Sequence, residues 1–151
     1  MKKFNSIDDV LDFAINAEQE AVDFYNQLAT NAKTEDMRHV FTSFAQEEIE
    51  HKARLTKIKK EGSFKVEPKK IEDLKISDYM VDVKAIPDMS YSEALVLAMR
   101  KEKAAFKLYY DLAIRAENEP MRDVFLSLAQ EESKHKLRFE IEYDEYVLRE
   151  N

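Results

Sequence analysis

The 151-residue sequence predicts an all-α fold, an antiparallel four-helix bundle with one long crossover between its second and third helices. Three observations carry that reading. One glycine and three prolines leave few of the turns a β-rich chain needs, and 36% charged residues suit long, solvated helix faces. Apolar residues recur at alternating steps of four and three along four stretches. The chain also repeats itself at an offset of 84 residues. MRHVFTSFAQEEIEHKARLTKI, Met37 to Ile58, shares 12 of 22 positions with MRDVFLSLAQEESKHKLRFEIE, Met121 to Glu142. Ala14 to Ala29 (AINAEQEAVDFYNQLA) matches Ala98 to Ala113 (AMRKEKAAFKLYYDLA) at the same offset, so a helical hairpin is present twice.

The first helix is predicted to begin near Ser6, whose hydroxyl can cap it while Asp8 and Asp9 favour the positive end of the helix dipole, and to end around Asn31. The second follows a short turn at Thr34. The third opens at Ser90 with Ser-Tyr-Ser-Glu, a capping-box pattern ending at Glu93, and the fourth near Asn118 with Pro120 in its first turn. Between the hairpins, Gly62 to Met89 holds Pro68, Pro87 and a helix-like DLKISDYM, and is long enough to run the length of a bundle. Short, long and short connections suit a ferritin-like bundle. The alternative, a linker between separate domains, would leave each hairpin's apolar face uncovered. The expectation is one domain over residues 1–151, with repeats at 7–61 and 91–149 and a crossover at 62–90.

Composition excludes several functions. Without cysteine there are no disulfides, thiolate metal sites or cysteine nucleophiles, so any metal must be held by oxygen and nitrogen. A formal charge of −7 argues against nucleic-acid binding, and the lysines at 57, 59 and 60 read as a solvated helix end. The N-terminal MKKFNSIDDVLDF turns acidic before an apolar targeting segment can build up, and no stretch approaches membrane-spanning length. The simplest reading is a soluble, cytoplasmic protein with no membrane partner.

The chemistry lies where the apolar stripes are interrupted. The stripes read Ile7, Leu11, Ala14, Glu18, Ala21, Tyr25, Leu28; Met37, Phe41, Phe44, Glu48, His51, Leu55, Ile58; Tyr91, Leu95, Ala98, Glu102, Ala105, Tyr109, Leu112; and Met121, Phe125, Leu128, Glu132, His135, Phe139, with the pattern lapsing at Glu142. His39 lies off its stripe and reads as a surface residue. Glu18, Glu48, Glu102 and Glu132 are each the fourth member of their stripe, so antiparallel packing brings them, with His51 and His135, to one height. In each Glu-x-x-His the two side chains are about 4.5 Å apart along the axis and about 60° around it, close enough to approach one metal. Four unpaired buried carboxylates would cost several kcal/mol each, and two divalent ions would balance them. A lone Glu-x-x-His is more simply a solvated helix face, but two copies at equal depth, each with an upstream glutamate, predict a dinuclear metal site. The four-Glu, two-His set suits iron or manganese better than zinc, which favours four-coordinate sites rich in nitrogen or sulfur. Tyr25 and Tyr109 stand seven residues beyond Glu18 and Glu102, either as aromatic core or as hydrogen-bond donors to the carboxylates. Ala21 and Ala105 either leave room for a small oxidant or permit close helix packing.

With these motifs the sequence resembles the ferritin-like superfamily, and specifically the bundle domain of rubrerythrins, over nearly its whole length. The resemblance implies two iron ions, with manganese or a mixed pair as alternatives, used to reduce hydrogen peroxide or oxygen in oxidative-stress defence. It implies bridging roles for Glu48 and Glu132 and terminal roles for Glu18, Glu102, His51 and His135, and it matches Tyr25 to a tyrosine beside the metals. A homodimer is expected by the same analogy, with the hairpins closing within one chain or exchanging between two. Two departures stand out. Rubrerythrins usually carry a further ligand glutamate three residues after the third-helix glutamate, where this chain has Ala105, so the peroxide chemistry tied to that residue is not implied. The paired Cys-x-x-Cys motifs of a rubredoxin-like domain are missing, so electrons are expected from an external donor protein or small reductant. The leading expectation is thus a non-haem diiron oxidoreductase. The alternatives are a ferroxidase or iron-binding protein in metal handling, and a helical interaction protein that keeps a metal cage for stability.

Overall fold

A computed structural model describes residues 3–81 and 88–150. Its long helices are α1 (Ile7–Thr30), α2 (Glu35–Glu61), α4 (Tyr91–Arg115) and α5 (Glu119–Glu150), with a short α3 (Pro68–Glu72) and a 3-10 turn (Ile76–Asp78) between α2 and α4. No strand occurs among the described residues. Pro87, one of the prolines that mark the crossover, lies outside them.

Local chemistry sets the helix ends. The Ser6 and Thr34 hydroxyls accept from the amides of Asp9 and Met37, and Ser90 and Glu93 close a reciprocal capping box. The Asn118 side chain accepts from the Met121 amide at 2.9 Å, leaving Pro120 in the first turn, where no intrahelical amide is needed. The single glycine, Gly62, ends α2 in the left-handed region at φ 63°, where a Cβ is strained; its amide and that of Ser63 bond back to Lys59 and Ile58.

The crossover differs in detail from its prediction. The α-helical turn falls at Pro68–Glu72, ahead of DLKISDYM, which itself holds only the 3-10 turn. Proline at the first helical position nucleates the earlier turn. Tertiary anchors set the rest: Phe64, Ile71, Leu74 and Tyr79 are buried, Phe64 packs edge-on against Phe125, and the Tyr79 hydroxyl donates to Asp111 at 2.6 Å.

Each hairpin packs α1 on α2 or α4 on α5, and reciprocal contacts join the two. Tyr25 of α1 reaches Glu102 of α4 while Tyr109 of α4 reaches Glu18 of α1, which requires the two helices to run antiparallel. His51 with Glu131 and His135 with Glu47 give the same result for α2 and α5. Each contact maps onto its partner through the 84-residue offset, so the sequence repeat becomes a pseudo-two-fold axis through the bundle. The result is an all-α, ferritin-like bundle. Its apolar core is split into two layers, one around Leu11, Leu55, Leu112 and Phe125 and the other around Leu28, Phe41, Leu95 and Phe139, with the charged residues of the stripes between them. The fourth stripe does not lapse at Glu142: that carboxylate is buried, accepting from the Tyr91 hydroxyl at 2.9 Å and from Arg149 at 3.3 Å. His39 is exposed.

Candidate metal centre

All six stripe-interrupting residues, Glu18, Glu48, His51, Glu102, Glu132 and His135, are at most 2% exposed. They form two overlapping groups, Glu18, Glu48, His51 and Glu132 in one and Glu48, Glu102, Glu132 and His135 in the other, with donor atoms in each within 4.8 Å of one another. Glu48 and Glu132 belong to both. His51 Nδ1 lies 3.0 Å from Glu48 Oε1 and 3.2 Å from Glu132 Oε1, and His135 Nδ1 lies 3.6 Å from Glu102 Oε1.

One buried polar atom from each of these six residues lacks a hydrogen-bond partner: Glu18 Oε2, Glu48 Oε1, His51 Nδ1, Glu102 Oε2, Glu132 Oε1 and His135 Nδ1. Orphaned buried polar atoms are costly and rare, and six converging on one space fit a pair of cations bound by oxygen and nitrogen.

The remaining atoms of the site are held in place. The Tyr25 hydroxyl donates to Glu102 Oε1 and the Tyr109 hydroxyl to Glu18 Oε1, so each tyrosine serves the glutamate of the facing helix rather than its own. Burial, followed by the neighbouring carboxylates, raises both phenols well above their ordinary range and keeps them protonated donors. Each histidine turns its other nitrogen outward: His51 Nε2 is 2.9 Å from Glu131, and His135 Nε2 is 2.9 Å from Glu47. A carboxylate beside Nε2 accepts its hydrogen bond, so each ring turns Nδ1 into the cage, where it would offer a lone pair once a metal displaces the proton held there. Phe44 stacks on His135 with ring centroids 3.9 Å apart.

Glu47, Glu131 and Phe44's contact with His135 were not evident from the stripes. Glu47 and Glu131 fall one position off them and are partly exposed, at 38% and 30%. Their only signal was the repeated Gln-Glu-Glu at 46–48 and 130–132.

Without metal the cage holds protons. Burial, then the charges of Glu102 and Glu18, pushes Glu48 up to about 8, and burial with Glu102, Glu18 and Glu48 raises Glu132 in the same direction. Burial opposes a charged imidazole at His51 and His135, but the facing carboxylates outweigh it and lift them to about 11 and about 9.

A cleft of about 710 Å³ opens between α1 and α4 and reaches Glu18, Glu48, Glu102 and Glu132. Ala21 and Ala105 line it, so these small side chains do leave open space beside the carboxylates.

A family profile described as Rubrerythrin matches residues 9–143, nearly the whole chain. This chain belongs to the rubrerythrin family. No match was found among curated proteins or among solved structures. The family assignment and the buried Glu/His cluster together mark a rubrerythrin whose cage is compatible with a pair of metal ions. Ala105 lines the cleft and offers no donor atom, and the groups among the described residues that could hold a metal ion consist of four glutamates and two histidines. Among the described residues no helix is long and apolar enough to cross a membrane.

Proposed function

We propose that this rubrerythrin is a non-haem diiron oxidoreductase that reduces hydrogen peroxide or oxygen with electrons from an external donor. The observation that carries the proposal is the set of six orphaned donor atoms in two groups that share Glu48 and Glu132. In this reading Glu18 and His51 would hold one ion and Glu102 and His135 the other, with Glu48 and Glu132, which belong to both groups, shared between them. Iron is the assigned metal, with manganese or a mixed pair as alternatives, because a carboxylate-rich set with two imidazoles suits these ions. When bound, the iron pair supplies the two electrons that convert hydrogen peroxide and two protons into two waters.

The chain's residues do the rest. Tyr25 and Tyr109 fix the orientation of Glu102 and Glu18 and lend each carboxylate a hydrogen bond. Glu47 and Glu131 hold the imidazoles in the tautomer that aims Nδ1 inward. The apolar layers exclude water from both ends of the cage, so a small oxidant arrives through the α1/α4 cleft. The site's role in a cytoplasmic oxidative-stress defence, in one domain spanning the chain, belongs to the same proposal.

A ferroxidase or iron-handling role is the second reading, favoured by Ala105 at the position where the family's further ligand glutamate is expected. Stopped-flow oxidation of the anaerobic Fe(II)-loaded protein tests the peroxide role. Faster oxidation by hydrogen peroxide than by oxygen is expected of a peroxide reductase; equal or faster oxidation by oxygen would count against that role and leave oxygen reduction or ferroxidase activity. Stoichiometric zinc or no metal after anaerobic purification would count against both.

A further inference from the structure

Hydrogen peroxide and oxygen are each about the size of a water molecule, whose share of liquid volume is about 30 Å³. The α1/α4 cleft, at about 710 Å³, is in the range that encloses an organic molecule. Phe13, Phe24 and Leu108, with Met80 and Val81 of the crossover, give its wall an apolar part, beside the polar Asn16 and Gln27. Its inner end is polar, where the unpartnered oxygens of Glu18 and Glu102 belong to residues at most 2% exposed.

The two repeats contribute unequally. Ala17 occupies the position of Lys101 in the other copy, and Ala104 the position of Glu20, all four lining the cleft. The small residue at each of these sites creates volume that a longer side chain on the same helix surface would fill. Access is also one-sided, since neither histidine lines the cleft and Phe44 covers His135 on the α2/α5 side. Glu20 and Asp23 outnumber Lys101 in the lining, which disfavours an anionic occupant.

We propose that the α1/α4 cleft binds a neutral organic hydroperoxide, with its apolar substituent against the apolar part of the wall and its peroxide group at the carboxylates. The proposal rests on the diiron reading for its chemistry. The O–O bond breaks, and two electrons come from a pair of divalent irons that each lose one. Two protons come from solvent, giving one alcohol and one water.

The test has two arms. In the first, the unreactive alcohol 2-phenyl-2-propanol is titrated into metal-free protein and followed by NMR. Saturable binding with Kd on the order of 1 mM, with shifts at Ala17, Ala21, Ala104 and Ala105, is expected for a ligand of this size. Ala104→Phe and Ala17→Leu, at positions whose counterparts carry long side chains, should fold normally and weaken binding about tenfold. No saturable binding, or binding unchanged in both variants, overturns the proposal.

In the second arm, the Fe(II)-loaded protein is mixed with cumene hydroperoxide or hydrogen peroxide. Ala104→Phe should slow the organic peroxide about tenfold more than it slows hydrogen peroxide, which is small enough to pass a narrowed cleft. Equal slowing of both, or of neither, overturns the proposal. A loaded protein inert to both peroxides would instead overturn the redox reading, leaving the metal-free arm to decide what the cleft binds.

Discussion

Replacing Glu48 with glutamine should make the metal-free protein relatively more stable as pH rises, although it alters a buried polar side chain. Glu48 is 1% exposed, and its carboxyl is pushed up to about 8 by burial and by Glu102 and Glu18. In the unfolded chain it returns to its ordinary value of 4.5. A group raised on folding stabilises fully below the unfolded value and loses that stabilisation as pH climbs through the folded one. Each pH unit in that window is worth about 1.4 kcal/mol, so holding Glu48 neutral at pH 7 costs the fold about 3 kcal/mol. Glutamine never titrates and avoids that cost, but its partly unsatisfied amide returns about 1–3 kcal/mol. At pH 7 Glu48→Gln should therefore be between equal to and about 2 kcal/mol more stable than the unsubstituted protein, by urea unfolding in chelator. The pH series is sharper. The difference, variant minus unsubstituted, should rise with pH between 4.5 and about 8 and level off beyond. A difference that is flat in pH, or that falls, would show that Glu48 is not strained by its burial. Replacing both Glu48 and Glu132 by glutamine should also abolish stoichiometric loading of the metal pair, measured by elemental analysis.

Three other outcomes are expected. Tyr25→Phe and Tyr109→Phe should each weaken Co(II) or Mn(II) binding by about 10-fold in competition titrations, because each removes the hydrogen bond that holds one glutamate. Metal loading should release protons and tighten between pH 6 and pH 9, because Glu48, His51 and His135 hold protons up to about 8, about 11 and about 9 when the cage has no metal; a pH-independent affinity in a chelator competition would refute this. The protein should sediment as a homodimer that Leu137→Lys with Ile141→Lys converts to a monomer. The outer α4/α5 face exposes Tyr110, Ile114, Leu126, Leu137 and Ile141, where the first hairpin carries Asn26, Thr30, Thr42, Ala53 and Lys57.

Much of the site was legible because a bundle interior has a period, and a charged residue on that period is conspicuous. Glu18, Glu48, Glu102 and Glu132 stand at equal depth in their stripes, and the caps at Ser6, Thr34, Ser90 and Asn118 aligned those stripes in space. Residues one step off the period gave no such signal. Glu47 and Glu131 look like ordinary surface acids until the facing hairpin brings a histidine to each. Glu142 read as the end of a pattern because its partners, Tyr91 and Arg149, lie on another helix and two turns onward. The cleft depends on the gap between α1 and α4, which no single helix encodes. In the crossover, Pro68 starts the short helix, and the buried anchors Phe64, Ile71 and Tyr79 set the path of the rest.

The reciprocity of the cage bears on how the chain can be divided. Tyr25 serves Glu102, Tyr109 serves Glu18, Glu131 serves His51 and Glu47 serves His135, and all four contacts run from one hairpin to the other. A hairpin on its own holds half of the donors and none of the groups that aim them. Two copies of one hairpin, on separate chains, could satisfy every one of these contacts, but only by meeting in solution. Tethering them through the crossover replaces that bimolecular encounter with an effective concentration in the millimolar range. Assembly of the cage thereby becomes independent of protein concentration.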